Sequence, residues 1–187
     1  MKKITIKDVE ISYTVVERNV KYPRLELKSG CLVLILRRGI NDEKGILIKH
    51  SDWIYKKVME INRIRIYGSG IEPVIRTKDL FKETVNKYLR LSETELGVKS
   101  NKIIFKTMTS KWGSCSAKGT ITLNNYMTGL PARLIAYIIY HELVHLQNRR
   151  HDNVFFRKVQ KRFPDYKKLE DELAAYWFVI KQRIEHM

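Results

Sequence analysis

Hydrophobic positions along the chain follow two periods in succession. Residues 4–15, 22–28 and 31–37 alternate apolar with polar or are β-branched, the period-2 pattern of strands. "LELKSGCLVLIL" reads as two strands joined by a tight turn at Ser29-Gly30. The N-terminal region is therefore expected to form a small antiparallel sheet. From about Asn41 the period lengthens. "HSDWIYKKVMEINRIRI" sets Trp53, Ile54, Val58 and Ile61 on a helical stripe, with Ser51 or Asp52 as its cap. "SGIEP" breaks the pattern. "TKDLFKETVNKYLRLSETELG" is a second amphipathic helix, with Leu80, Val85, Tyr88 and Leu89 facing inward and Gly97 at its end.

"KIIFKTMTSKWGSCS" and "TITLNNYM" then read as a strand pair turning at "AKG". "LPARLIAYIIYHELVHLQN" begins with Pro131 in the first turn and is apolar through Leu134, Ile135, Ile138 and Ile139, so it should be the most buried helix. "HDNVFFRKVQKRF" and "DYKKLEDELAAYWFVIKQRIEH" complete the helices, separated at Pro164. The expected fold class is α+β. Residues 1–75 form an N-terminal β-rich region, and residues 76–187 form a helical half with a short strand pair ahead of its central helix.

Composition narrows the picture. Hydrophobic residues make up 44% and charged residues 30% of 187, a globular balance. The longest apolar runs, "CLVLIL" and "LIAYIIY", are too short to span a bilayer, so no membrane partner is expected. "MKKITIKDVE" lacks the apolar run of a secretory signal, and the two cysteines, Cys31 and Cys115, are far apart. Both features suit a reducing, cytoplasmic setting. The net charge of +16 is spread evenly, each half contributing +8. It admits an anionic substrate, nucleotide or nucleic acid, and equally a lysine-rich proteome. Between Arg149 and Lys168 eight basic residues face two acidic ones, a candidate steering surface or a solvated helix face.

The candidate chemistry lies in "YHELVHLQNRRHD", which holds three of the five histidines. A spacing of four places His141 and His145 one turn apart on a helix, where neutral imidazoles can take two positions of a zinc site. Glu142 is placed to act as general base toward a metal-activated water. A helix continuing past Asn148 would carry His151 to the opposite face. Asn148 in the left-handed conformation would instead end the helix and bring His151 back as third ligand. Metzincins share this spacing, with glycine in place of the asparagine, but here no methionine turn follows. The rival third ligand is acidic, Glu170 or Glu172, in the manner of thermolysin-like zincins. Cys115 is a weaker candidate ligand. Phe155 and Phe156 read as core, and Trp112 as core or cleft border. An extended peptide could pair with a strand edge along "TITLN".

A second signature precedes the helix. "WGSCS", "G-x-I-x-LN", "HELVHL" and "H-x-x-x-F" in this order resemble the YgjP-like metallopeptidase family, distantly similar to SprT-type zinc proteases. The resemblance extends to the N-terminal hairpin and the "DWIYKK" helix. Lys111 stands where arginine is common, Phe156 where tryptophan is common and Asp152 where serine is common. The resemblance implies a zincin-like catalytic half, one zinc ion on His141, His145 and His151, and Glu142 as catalytic base. It implies a metal-dependent hydrolase, foremost a peptidase. Nucleotide pyrophosphatase activity has also been attributed to the family. A nucleic-acid-binding module with a structural metal is the alternative from outside enzymology.

Overall fold

The structure, a computed structural model, describes residues 1–28, 31–40 and 42–185. The chain divides into two compact units, Met1–Ser69 and Gly70–Met187.

In the first unit, β1 (Lys2–Ile6), β2 (Val9–Glu17), β3 (Arg24–Lys28) and β4 (Cys31–Leu36) form one sheet in the order β1-β2-β4-β3. The sheet is mixed rather than antiparallel throughout. β1–β2 and β3–β4 are antiparallel, but β2 and β4 run parallel, with Tyr13 opposite Leu32 and Glu17 opposite Leu36. The apolar content of the strands explains the order. "CLVLIL" has Leu32, Leu34, Ile35 and Leu36 all buried, so it needs cover on both faces and takes an inner place. "RLELK" alternates charge with leucine and tolerates the edge. The turn expected at Ser29-Gly30 lies outside the described residues.

Two helices follow, α1 (Glu43–Lys49) and α2 (Ser51–Gly68). The first was not evident from the periodicity; Asp42 caps it by accepting from Gly45 N–H at 3.0 Å. Neither Ser51 nor Asp52 caps α2, because His50 closes α1 and opens α2 directly. Ile54 is buried and Val58 packs against the sheet core, whereas Trp53 is exposed.

In the second unit, α3 (Lys78–Leu96) starts at a Thr77 cap and ends at Gly97, whose φ of 64° only glycine adopts cheaply. Its inner stripe runs Phe81, Val85, Tyr88, Leu89; Leu80 faces water. The segment before it belongs to this unit: Val74 N–H donates to the Gly129 carbonyl and Arg76 Nη1 to the Thr128 and Leu130 carbonyls. The expected long strand is two, β5 (Lys102–Lys106) and β6 (Gly113–Cys115), separated by a loop. They flank β7 (Thr120–Asn124), parallel to β5 and antiparallel to β6. After a 3-10 turn at Asn125–Gly129 comes α4 (Ala132–Val144), then α5 (Asn153–Arg162) and α6 (Tyr166–Glu185). α4 is buried along most of its length and is the axis of the unit's core, with α3, α5, α6 and β6 packed around it. No helix among the described residues is long and apolar enough to cross a membrane.

Candidate metal centre

The motif sits at the carboxyl end of α4. The helix closes at Val144, so His141 and His145 occupy its last turn and the position just after it. Helix carbonyls point toward that end, which favours a cation there. The chain then turns without a left-handed residue. Leu146 N–H donates to Leu143 and Gln147 N–H to Val144, a tightening of the last turn. Asn148 does not adopt the left-handed conformation expected for it; among the described residues only Lys7 does so without being glycine. Asn148 acts through hydrogen bonds instead. Its carbonyl lies 3.1 Å from His145 Nδ1, its Oδ1 accepts from Arg150 N–H at 3.2 Å, and its Nδ2 donates to Asp152 Oδ1 at 2.8 Å. Such an Asx turn redirects the backbone locally, so the strain of positive φ is unnecessary. Asp152 in turn caps α5 through Val154 and Phe155 N–H, and those bonds hold its carboxyl below the usual range.

These turns bring His151 back over the helix end. The ligand-type atoms of His141, His145 and His151 all lie within 4.8 Å of one another, and Nε2 of His141 and of His151 are 2.9 Å apart. A tetrahedral zinc at ~2.0 Å from each imidazole would separate its nitrogens by about 3.3 Å, so the donor set fits. Burial, with the neighbouring imidazoles adding to it, pushes His141 down to about 3 and lowers His145 also, leaving both neutral and able to donate lone pairs. A proton on His145 Nδ1, bonded to the Asn148 carbonyl, leaves Nε2 free toward the centre. Phe155, fully buried, lies under all three rings with centroids 4.6–4.8 Å away. It is core, as expected, and it fixes the ring positions. Phe156 stacks on Tyr166.

The acidic rivals are engaged elsewhere. Glu170 accepts from the Tyr137 hydroxyl at 2.9 Å and Glu172 pairs with Arg133. Neither joins the histidine cluster.

Glu142 is 8% exposed and opens into a cleft of about 430 Å³ shared with the three histidines. Burial raises its carboxyl to about 7, against a smaller lowering by Lys111. β6 forms the opposite wall, and it comes very close. A Cβ at Gly113 would meet Glu142 Cγ and Oε1 at 2.8 Å. The role of Gly113 is to let the strand pass the carboxyl. Gly113→Ala should therefore displace Glu142 and lower kcat by roughly tenfold or more with metal content kept. Metal analysis beside a turnover assay checks it.

Asn124, one position of the "G-x-I-x-LN" motif, organises this wall. It is fully buried. Its Nδ2 donates to the Met108 and Lys111 carbonyls, both at 2.8 Å, and its backbone N–H to the Trp112 carbonyl. A lone amide closing the apolar strand "TITLN" was the available signal, since a buried amide must find partners. Trp112 packs edge-on against Trp177 at 4.8 Å. β7 is the central strand, so its edges are taken and an extended peptide cannot pair along "TITLN". The edge facing the cleft belongs to β6. Cys115 also lines the cleft; burial raises its thiol, and it is not among the clustered ligand atoms. Both cysteines are free thiols.

Comparison with known proteins agrees with the motif. The model of the YgjP-like family, metallopeptidase domain, matches residues 76–176. No curated protein matches the chain. Among solved structures, the metallopeptidase zymogen of Pyrococcus abyssi abylysin is 30% identical over 48% of this chain and 90% of that one, at a TM-score of 0.44. The metallopeptidase zymogen of Methanocaldococcus jannaschii jannalysin is 28% identical over 54% and 96%, at a TM-score of 0.43. With more than half of its length matched by the family model, the chain belongs to the YgjP-like family of metallopeptidase domains.

Proposed function

We propose that this protein is a zinc-dependent peptidase in which His141, His145 and His151 hold one zinc ion and Glu142 is the general base. The observation that carries the reading is the convergence of three imidazoles beside one buried carboxyl in an open cleft. Zinc bound there would supply Lewis acidity, polarising a carbonyl and acidifying water at neutral pH.

The protein's own groups account for the rest. Glu142, raised by burial to about 7, is matched to proton transfer near neutrality, and a nearby dication favours its carboxylate form. It would take the proton of the attacking water and pass it to the leaving nitrogen. Gly113 keeps that carboxyl against the wall of the cleft. The outer edge of β6 offers backbone groups to an extended chain, an arrangement that suits a peptide better than a compact ligand. The family match supports a peptide substrate and lends no support to nucleotides or nucleic acid.

The test is hydrolysis by zinc-loaded protein of a mixed peptide library and of nucleoside triphosphates in parallel. Peptide cleavage that stops on chelation and returns with zinc is expected. Triphosphate hydrolysis with intact peptides would contradict the reading.

A further inference from the structure

The cleft has a charge pattern that a general peptide does not require, and its interpretation rests on the peptidase reading above. Two cations, Lys111 and Arg149, line it beside a single acid, Glu142, which the chemistry employs. Both cations are exposed, and among the described residues neither is paired with a carboxylate. Lys111 is anchored through its backbone and Arg149 through its guanidinium. Asn124 Nδ2 donates to the Lys111 carbonyl at 2.8 Å, fixing the base of that side chain. Arg149 Nη2 donates to the Ser116 carbonyl at 3.3 Å, one residue beyond β6.

Both line the cleft close enough to be felt by its groups, Lys111 by Glu142 and Arg149 by His145 and Cys115. Other members of the basic cluster are engaged elsewhere: Lys158 with Gln147, Arg157 with the Asn153 carbonyl, Arg162 with Glu95. Two cations without carboxylate partners already outnumber the one glutamate of the cleft, and a dication held by the three histidines would add to that positive charge. A substrate carboxylate would satisfy both.

We propose that Lys111 and Arg149 select peptides presenting a carboxylate close to the scissile bond. Its source is either an Asp or Glu side chain or the free C-terminus of the substrate.

The probes are N-acetylated decapeptides on one Ala/Ser/Leu frame, with a central Glu, Gln or Lys, each with a free or an amidated C-terminus. kcat/KM is measured for zinc-loaded wild type and for the Lys111→Glu/Arg149→Glu variant. Calorimetry on Glu142→Gln protein, with and without the two charge reversals, reads binding of the same peptides without turnover. The wild type should favour Glu over Lys peptides by about tenfold, and the reversals should remove or invert that ratio. A preference for free over amidated ends, whatever the central residue, assigns the carboxylate to the C-terminus; dependence on the central residue alone assigns it to a side chain. Either pattern, lost on charge reversal, supports the proposal. Equal ratios in both proteins overturn it. If no peptide is cleaved, the peptidase reading fails while the binding series still decides: tighter binding of carboxylate peptides supports selection, and equal or absent binding overturns it.

Discussion

Glu142→Gln protein should hold zinc as the wild type does and lose hydrolysis by roughly 10²- to 10⁴-fold, the range that a positioned general base contributes. The two side chains have nearly the same shape, so the amide fits the narrow space against Gly113. It cannot accept a proton near neutral pH. The loss should appear in kcat rather than KM, because the β6 edge proposed to bind peptide is untouched. The substitution also replaces a desolvated carboxyl by a neutral amide in the same buried place. The metal-free variant should therefore melt no lower than wild type. Zinc content, Tm and steady-state rates on one preparation check all three. Turnover near the wild-type rate would remove Glu142 from its role.

His151→Ala should weaken zinc binding by about 100-fold or more, since two imidazoles and water make a poor site. The fold should survive, because His151 is exposed on a loop and its contacts are confined to the rings of Phe155 and Phe156 and to the other two histidines of the cluster. Glu170→Ala and Glu172→Ala should keep zinc at wild-type affinity. Their costs are local: an unpartnered Tyr137 hydroxyl in one case and a lost Arg133 contact in the other. Chelator competition on the three variants separates the alternatives. Retention by His151→Ala with loss by Glu170→Ala would move the site to a carboxylate third ligand.

The residues that do the proposed chemistry were legible because their spacing is a helical property. Four positions along α4 fix the relation of His141 to His145 whatever surrounds them. The return of His151 was legible as a requirement but not as a conformation. The backbone solved it with a tightened turn and the Asn148 side chain, choices that depend on partners as far along as Asp152. In the first sheet, alternation identified strands but carries no information on which strand neighbours which. The parallel β2–β4 contact follows from the two-sided burial of "CLVLIL", visible in the sequence as an unbroken apolar run. α1 escaped notice because seven residues hold too few periods to establish a stripe. Leu80 and Phe81 are adjacent apolar residues, and only packing chooses between them. The approach of Gly113 to Glu142 joins residues twenty-nine positions apart on different elements, beyond what local pattern can report.

X-ray absorption at the zinc edge of the zinc-loaded wild type tests the central claim most directly. The account predicts three imidazole nitrogens and one light oxygen donor at ~2.0 Å, the open coordination of a catalytic site. His151→Ala should then show two imidazoles. A sulfur scatterer at about 2.3 Å, which would bring Cys115 into the site, or a closed set of four protein ligands would contradict it and return the metal to a structural role.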